Sequence, residues 1–161
     1  MKDKNDDYIS GIVYNNYENG KLEYEYEFRN GKQEGKQIKY YENGNKKIEY
    51  HLRNGEMDSI KISYFDNGKK EYEISRRNDE KNGFEKWWHE NGNLRSTQYW
   101  IDGLENDTTR YFYRNGNIEK EYIYKDDEMI GAKSWFSDGK VKSKGWRREY
   151  KEDGTYKVHS Y

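Results

Sequence analysis

The chain has 161 residues, a length that suits one domain. Charged residues make up 38% yet sum to −1, and only 31% are hydrophobic. This composition excludes a membrane-spanning apolar run. With no Cys it excludes disulfides and cysteine-held metals, and its balanced charge argues against nucleic acid as a partner. Only 18 residues are Ile, Leu or Val, against 18 Tyr, 5 Phe and 5 Trp. Disordered chains combine high net charge with few aromatics, so this chain is expected to fold with rings in place of aliphatic residues.

The first residues, Met1 to Tyr8, are charged throughout and contain no apolar stretch of signal-peptide length. The location expected from this is the cytoplasm. From Gly11 onward the chain repeats. Gly20, Gly44, Gly68, Gly92 and Gly116 lie 24 residues apart, each preceded by Asn. Two positions before each Asn stands a ring: Tyr17, Tyr41, Phe65, His89 and Tyr113. A second series is Asn30-Gly31, Asn54-Gly55, Asn78-Asp79, Asp102-Gly103 and Asp126-Asp127. A third is Gly11, Gly35, Ser59, Gly83, Asp107 and Gly131. The period then slips at Phe136 to Gly139, and Gly145 and Asp153-Gly154 restart it.

Asn-Gly and Asp-Gly favour the two successive positive φ angles of a type I′ hairpin turn. If every turn holds two residues, a 24-residue period divides into two strands of up to ten residues, each about 33 Å long. The absence of Pro suits unbroken strand ladders. Around Asn19-Gly20 such turns pair Tyr17 with Leu22, Asn15 with Tyr24, Val13 with Tyr26 and Gly11 with Phe28. Around Asn30-Gly31 they pair Tyr26 with Gly35, and around Asn43-Gly44 they pair Gly35 with Leu52. One face then gathers rings and aliphatics such as Tyr24, Tyr26, Tyr50, Tyr72, Trp100 and Tyr122, with the recurrent glycine leaving room beneath them. On the other face Ile38, Ile62, Tyr64, Trp88 and Phe112 interleave with Glu25, Glu49, Glu73 and Glu121.

The expected fold is all-β: an antiparallel β-hairpin repeat array, a long twisted meander sheet of mainly a single layer. It reads as one repeat domain over residues 1–161. About six 24-residue hairpins start at Gly11, the sixth shortened, and a capping hairpin spans 145–161. Lys157 and the charged N-terminal residues are placed to guard the sheet edges.

The stretch Gly31-Lys-Gln-Glu-Gly35-Lys-Gln-Ile-Lys-Tyr40-Tyr41-Glu-Asn43-Gly44 resembles the MORN-repeat variant of bacterial proteins. It is also similar to the repeat of the YwqK-type antitoxin family. The resemblance spans residues 8 to 156. It implies a hairpin scaffold, and in the YwqK-type group an antitoxin or immunity protein that neutralises a partner toxin by direct binding. The chain departs from the pattern where Ser59 and Asp107 replace a strand glycine and where Asp79 and Asp127 replace a turn glycine.

No residue set marks an enzyme, a cofactor or a metal. His51, His89 and His159 have no metal-ligand spacing, and His89 reads as a substitute for Tyr in its slot. Glu23, Glu25 and Glu27 read as a solvated strand face rather than an acid–base pair. The basic residues Lys140, Lys142, Lys144, Arg147 and Arg148 read the same way, and with Glu149 and Glu152 following they make a membrane contact an unfavoured reading. All five Trp lie beyond residue 86. Rings and Arg concentrate at binding hot spots, so Trp87, Trp88, Trp100, Arg110, Tyr111, Phe112 and Trp135 form the candidate partner-binding surface. The competing reading is that they fill the sheet slots that Tyr40, Tyr64 and Tyr113 occupy. The function expected is non-enzymatic protein binding of the immunity type, with no cofactor. The alternatives are self-assembly through an edge or a scaffold on anionic lipid.

Overall fold

A computed structural model describes residues 7–152 and 154–160, without the side chain of Lys144. Met1 to Asp6, most of the N-terminal segment assigned to edge protection, Asp153 of the last turn, and Tyr161 lie outside the described residues. Among those described, the chain forms fourteen strands and no helix. They fall into two compact units that divide between Glu80 and Lys81.

The first unit holds β1 (Gly11–Asn16), β2 (Leu22–Arg29), β3 (Lys32–Tyr40), β4 (Lys46–Arg53), β5 (Glu56–Met57), β6 (Ile60–Tyr64) and β7 (Lys70–Arg77). Its strands pair antiparallel in the order β1-β2-β3-β4-β6-β7, with β5 on the end of β4. The second unit holds β8 (Glu80–Trp88), β9 (Leu94–Ile101), β10 (Leu104–Phe112), β11 (Ile118–Lys125), β12 (Glu128–Trp135), β13 (Val141–Tyr150) and β14 (Tyr156–Ser160), paired in chain order. Each unit is a meander of one layer, as the repeat predicts. Phe28, Ile38, Ile74 and Ile130 are the apolar residues that become buried, and most rings are half-buried.

The two Asn-Gly series make different turns. At Asn30-Gly31 both residues have positive φ, 49° and 76°. Arg29 pairs with Lys32 across a two-residue type I′ turn, as expected. At Asn19-Gly20 only the glycine has positive φ. The Gly20 amide donates to the Tyr17 carbonyl at 2.9 Å, and the Tyr17 amide donates to the Lys21 carbonyl at 2.8 Å. This is a type I turn closed by a left-handed glycine, a loop of three residues. The expected Tyr17–Leu22 pair is therefore corrected: Leu22 lies opposite Asn16. A bulge beside Leu22 absorbs the odd residue and restores the predicted pairs Asn15–Tyr24, Val13–Tyr26 and Gly11–Phe28.

The recurrent strand glycine is also corrected. Tyr26 lies opposite Gln37, not Gly35, because β3 carries two extra residues between its turn and this pair. Gly35 sits in that irregularity with φ 80°, a conformation that favours glycine. An added Cβ would collide with the carboxylate of Glu27, so the space serves a Glu rather than a ring. Gly35 still faces Leu52 as predicted. Asp107 takes the same left-handed conformation, φ 63°.

Side chains fasten each three-residue corner to the next one in its unit. The Tyr17 hydroxyl donates to the Tyr40 carbonyl at 2.6 Å and that of Tyr41 to the Tyr64 carbonyl at 2.7 Å. Asn43 Oδ1 accepts from the Asn45 amide at 2.8 Å, while its Nδ2 donates to the Asp66 carbonyl at 2.7 Å. In the second unit His89 Nε2 meets the Phe112 carbonyl at 3.0 Å, so it takes the Tyr role in its slot. Tyr113 continues to the Trp135 carbonyl at 2.9 Å. At the following corner Phe136 and Asp138 carry neither the hydroxyl nor the amide that such a step needs.

The two-residue turns form a second ladder. The Gly103 amide donates to the Lys81 carbonyl at 2.9 Å, and the Asp127 amide to that of Glu105 at 3.0 Å. Asp127 replaces glycine at φ 65°, and its Oδ1 accepts from the Glu105 amide at 2.6 Å. Asp79 does the same for Met57 at 2.9 Å. The added acceptor offsets the left-handed strain.

On the polar face of the first unit Glu25, Ile38, Glu49, Ile62 and Glu73 stand directly opposite one another in a row across five strands. The Tyr40 hydroxyl donates to Glu25 at 2.6 Å, and Tyr64 donates to Glu49. Burial, the Glu25 hydrogen bond and nearby carboxylates push the Tyr40 phenol up to about 12, and burial and Glu49 raise Tyr64 as well. Burial alone would raise the Glu49 carboxyl, but hydrogen bonds from Lys46 and Tyr64 bring it below its ordinary value.

Asn43→Gly removes two side-chain hydrogen bonds and destabilises by about 1–2 kcal/mol in urea titration. Asn54→Gly, at φ 54°, changes stability by less than about 0.5 kcal/mol, because relief of left-handed strain offsets added chain entropy. Two-residue turns at both sites would give equal effects. For pH, a raised Tyr pKa stabilises fully below the unfolded value of roughly 10 and is lost as pH climbs through the folded value. Unfolding followed alongside phenolate absorbance should show stability falling between roughly pH 10 and 12, less steeply in Tyr40→Phe. The depressed Glu49 acts oppositely: its stabilisation holds above the unfolded carboxylate value and fades as pH falls through the folded one.

Candidate functional site

All seven candidate residues fall in the second unit, but strand alternation divides them. Trp87 on β8 lies opposite Ser96 on β9, and Ser96 lies opposite Tyr111 on β10. Trp100, four residues along β9 from Ser96, shares that face. Arg110 and Phe112 flank Tyr111 in sequence and point to the opposite face, where Arg110 Nε binds Glu121 Oε1 at 2.6 Å. Trp88 follows Trp87 at the end of β8, opposite Leu94. Trp135 ends β12, with Lys133 Nζ 5.1 Å from its ring centre. The seven therefore do not form one patch.

Trp100 is a fixture of the sheet. Lys81 Nζ lies 3.9 Å from its ring centre and 2.9 Å from the carboxylate of buried Glu85. Its indole N–H is buried with no acceptor among the described residues.

Trp87 and Tyr111 instead line an open slot of about 230 Å³ together with Arg95, Ser96 and Gln98. Lys120 Nζ lies 4.9 Å from the Tyr111 ring centre, and Tyr122 meets the same ring edge-on at 6.1 Å. Burial first, then the carboxylate of Glu105, raises the Tyr111 phenol, so the ring is neutral and its hydroxyl can donate.

Arg95, Ser96 and Gln98 escaped sequence reading because none is conspicuous by type. The signal that finds them is register: they sit on the strand between two ring-bearing strands. His51 is exposed at an open depression with Glu27 and Glu34, not enclosed with a carboxylate. Among the described residues no cluster of His, Asp and Glu is placed to hold a metal, and no helix is long and apolar enough to cross a membrane. Of the basic segment, Arg148 pairs with Glu128 at 2.7 Å and Lys140 with Asp138 at 3.1 Å.

No curated protein matches the chain. The MORN repeat variant does, at residues 10–30, 33–54, 81–102 and 108–126. The unmatched stretch after residue 54 is where Ser59 replaces glycine and the strand breaks into β5 and β6. The slot draws on two successive matched repeats, Trp87 to Gln98 from one and Tyr111 from the next. With just over half of its length matched in four copies, on a sheet whose turns repeat at the same interval, the chain belongs to the MORN repeat variant family, a family of repeat scaffolds.

Proposed function

We propose that this chain is a non-enzymatic scaffold that binds a protein, and that the partner is a toxin held inactive by direct contact. The observation that carries the reading is the aromatic face. In each unit a one-layer sheet presents half-buried rings that no second layer covers among the described residues. Such rings desolvate on contact and are the residue types that dominate binding energy. The likeness of the Gly31 to Gly44 segment to YwqK-type repeats supports the immunity form of this reading. The partner is expected to be a protein, in the cytoplasm, without nucleic acid or cofactor.

A second reading, self-assembly, has one observation in its favour. The edge strand β1 contains no charge and no Pro, and its Ile12 and Tyr14 are 63% and 64% exposed. Edge strands are usually guarded against pairing with another chain.

Co-expression with the product of the adjacent gene tests the first reading. Rescue of growth together with a co-purifying complex supports it, and toxicity without a complex refutes it. Light scattering over a hundredfold concentration range tests the second. A constant monomer mass is expected, and a dimer that Ile12→Lys abolishes would replace scaffold binding with assembly.

A further inference from the structure

We infer that the slot between Trp87 and Tyr111 seats one flat side chain of a protein partner, an indole, phenol or prolyl ring, with a neighbouring carboxylate held by Arg95. This rests on the protein-binding reading and supplies the chemistry of the contact.

A cross-strand row recurs in both units. In the first unit it runs Asn15, Tyr24, Lys39, Ile48, Ser63, Tyr72, each directly opposite the next. Large apolar residues stand on the even members, and small or polar ones lie between them. In the second unit the equivalent row runs Trp87, Ser96, Tyr111, Lys120, Ser134. At its start the alternation is inverted. Ser96 occupies the place of Tyr24, Ile48 and Tyr72, and the rings have moved to its two neighbours. The change empties the middle of the row and raises a wall on each side.

Width follows from sheet geometry. Trp87 and Tyr111 are two strand spacings apart, roughly 9.5 Å. A flat group above Ser96 would lie roughly 4.8 Å from each ring, inside the range of favourable aromatic pairs. Ser96 is 6% exposed and forms a low floor. Tyr122 backs the Tyr111 ring edge-on, 6.1 Å between ring centres.

Charge selects the neighbour. Arg95 is the extra residue of the bulge beside the Trp87–Ser96 pair, so it lines the slot although it adjoins Ser96 in sequence; it is exposed and has no ion pair among the described residues. No carboxylate lines the slot; of the two that act on Tyr111 from beside it, Glu105 and Glu85, the second is paired with Lys81, and Lys120 adds positive charge beside the ring. A guanidinium beside an aromatic cleft matches a carboxylate adjacent to the inserted ring.

Titration of the full chain with capped Glu-Trp-Glu and Lys-Trp-Lys peptides, followed by NMR, tests the assignment. The acidic peptide should shift the Trp87 indole N–H and the amides of Ser96, Gln98 and Tyr111, and should bind about tenfold tighter than the basic one. Ser96→Tyr restores the residue of other repeats, keeps the fold and should abolish the shifts. Arg95→Glu should invert the preference between peptides. No shift at these residues, equal affinity for both peptides, or shifts produced only by a glucose oligosaccharide overturns the assignment. If a co-purified protein partner binds Ser96→Tyr as tightly as wild type, the slot is wrong and the scaffold reading stands. If no partner binds either form, the scaffold reading itself falls.

Discussion

Side-chain hydrogen bonds that fasten one turn to the next do for this protein what a thick core does for others. A one-layer sheet buries little: Ile74 alone among the apolar side chains of the described residues is fully buried, with Phe28, Ile38 and Ile130 nearly so. Repeat proteins gain stability from interfaces between neighbours. Here those interfaces run through two ladders, one along each row of turns within a unit. Along the three-residue corners Tyr, His and Asn side chains reach the backbone carbonyls of the following corner. Along the two-residue turns the tip amide reaches back to an earlier carbonyl. Each ladder satisfies polar backbone groups that the sheet leaves over.

This arrangement explains the spread of Asn and Asp. An Asn at a three-residue corner acts through its amide, accepting with the oxygen and donating with the nitrogen. An Asn at a two-residue turn acts through its backbone, as one of the few residues that tolerate a left-handed conformation. Asp79 and Asp127 depart from glycine because a carboxylate at that site accepts an amide from the neighbouring repeat. The departures from the repeat are therefore chemical substitutions within it.

The same regularity makes the slot stand out. Once every row is assigned, an exchange of large and small residues becomes visible as a change in surface shape. Ser96 is unremarkable as a serine; as the residue in the place of Tyr24 and Tyr72 it opens a cavity.

The order of strands, their antiparallel pairing and the composition of the two faces were legible in the residues alone. Turn-forming dipeptides and side-chain alternation are local properties, and a period of 24 locks them together. The distinction between Asn19-Gly20 and Asn30-Gly31 was not legible. The dipeptide is the same, and the choice of turn depends on what surrounds it: a ring two residues before, a bulge beyond, and a neighbouring corner with carbonyls to satisfy. Nor could the candidate surface be drawn from ring content. Strand alternation sends Arg110 and Phe112 to the other side from Tyr111, and two extra residues in β10 set Tyr111, rather than Thr109, opposite Ser96 beside Trp87. The sequence determined that hairpins recur and which residues share a strand face. Tertiary structure alone decided how the irregular residues are absorbed, since bulges and inter-repeat hydrogen bonds form only when neighbouring hairpins are already side by side.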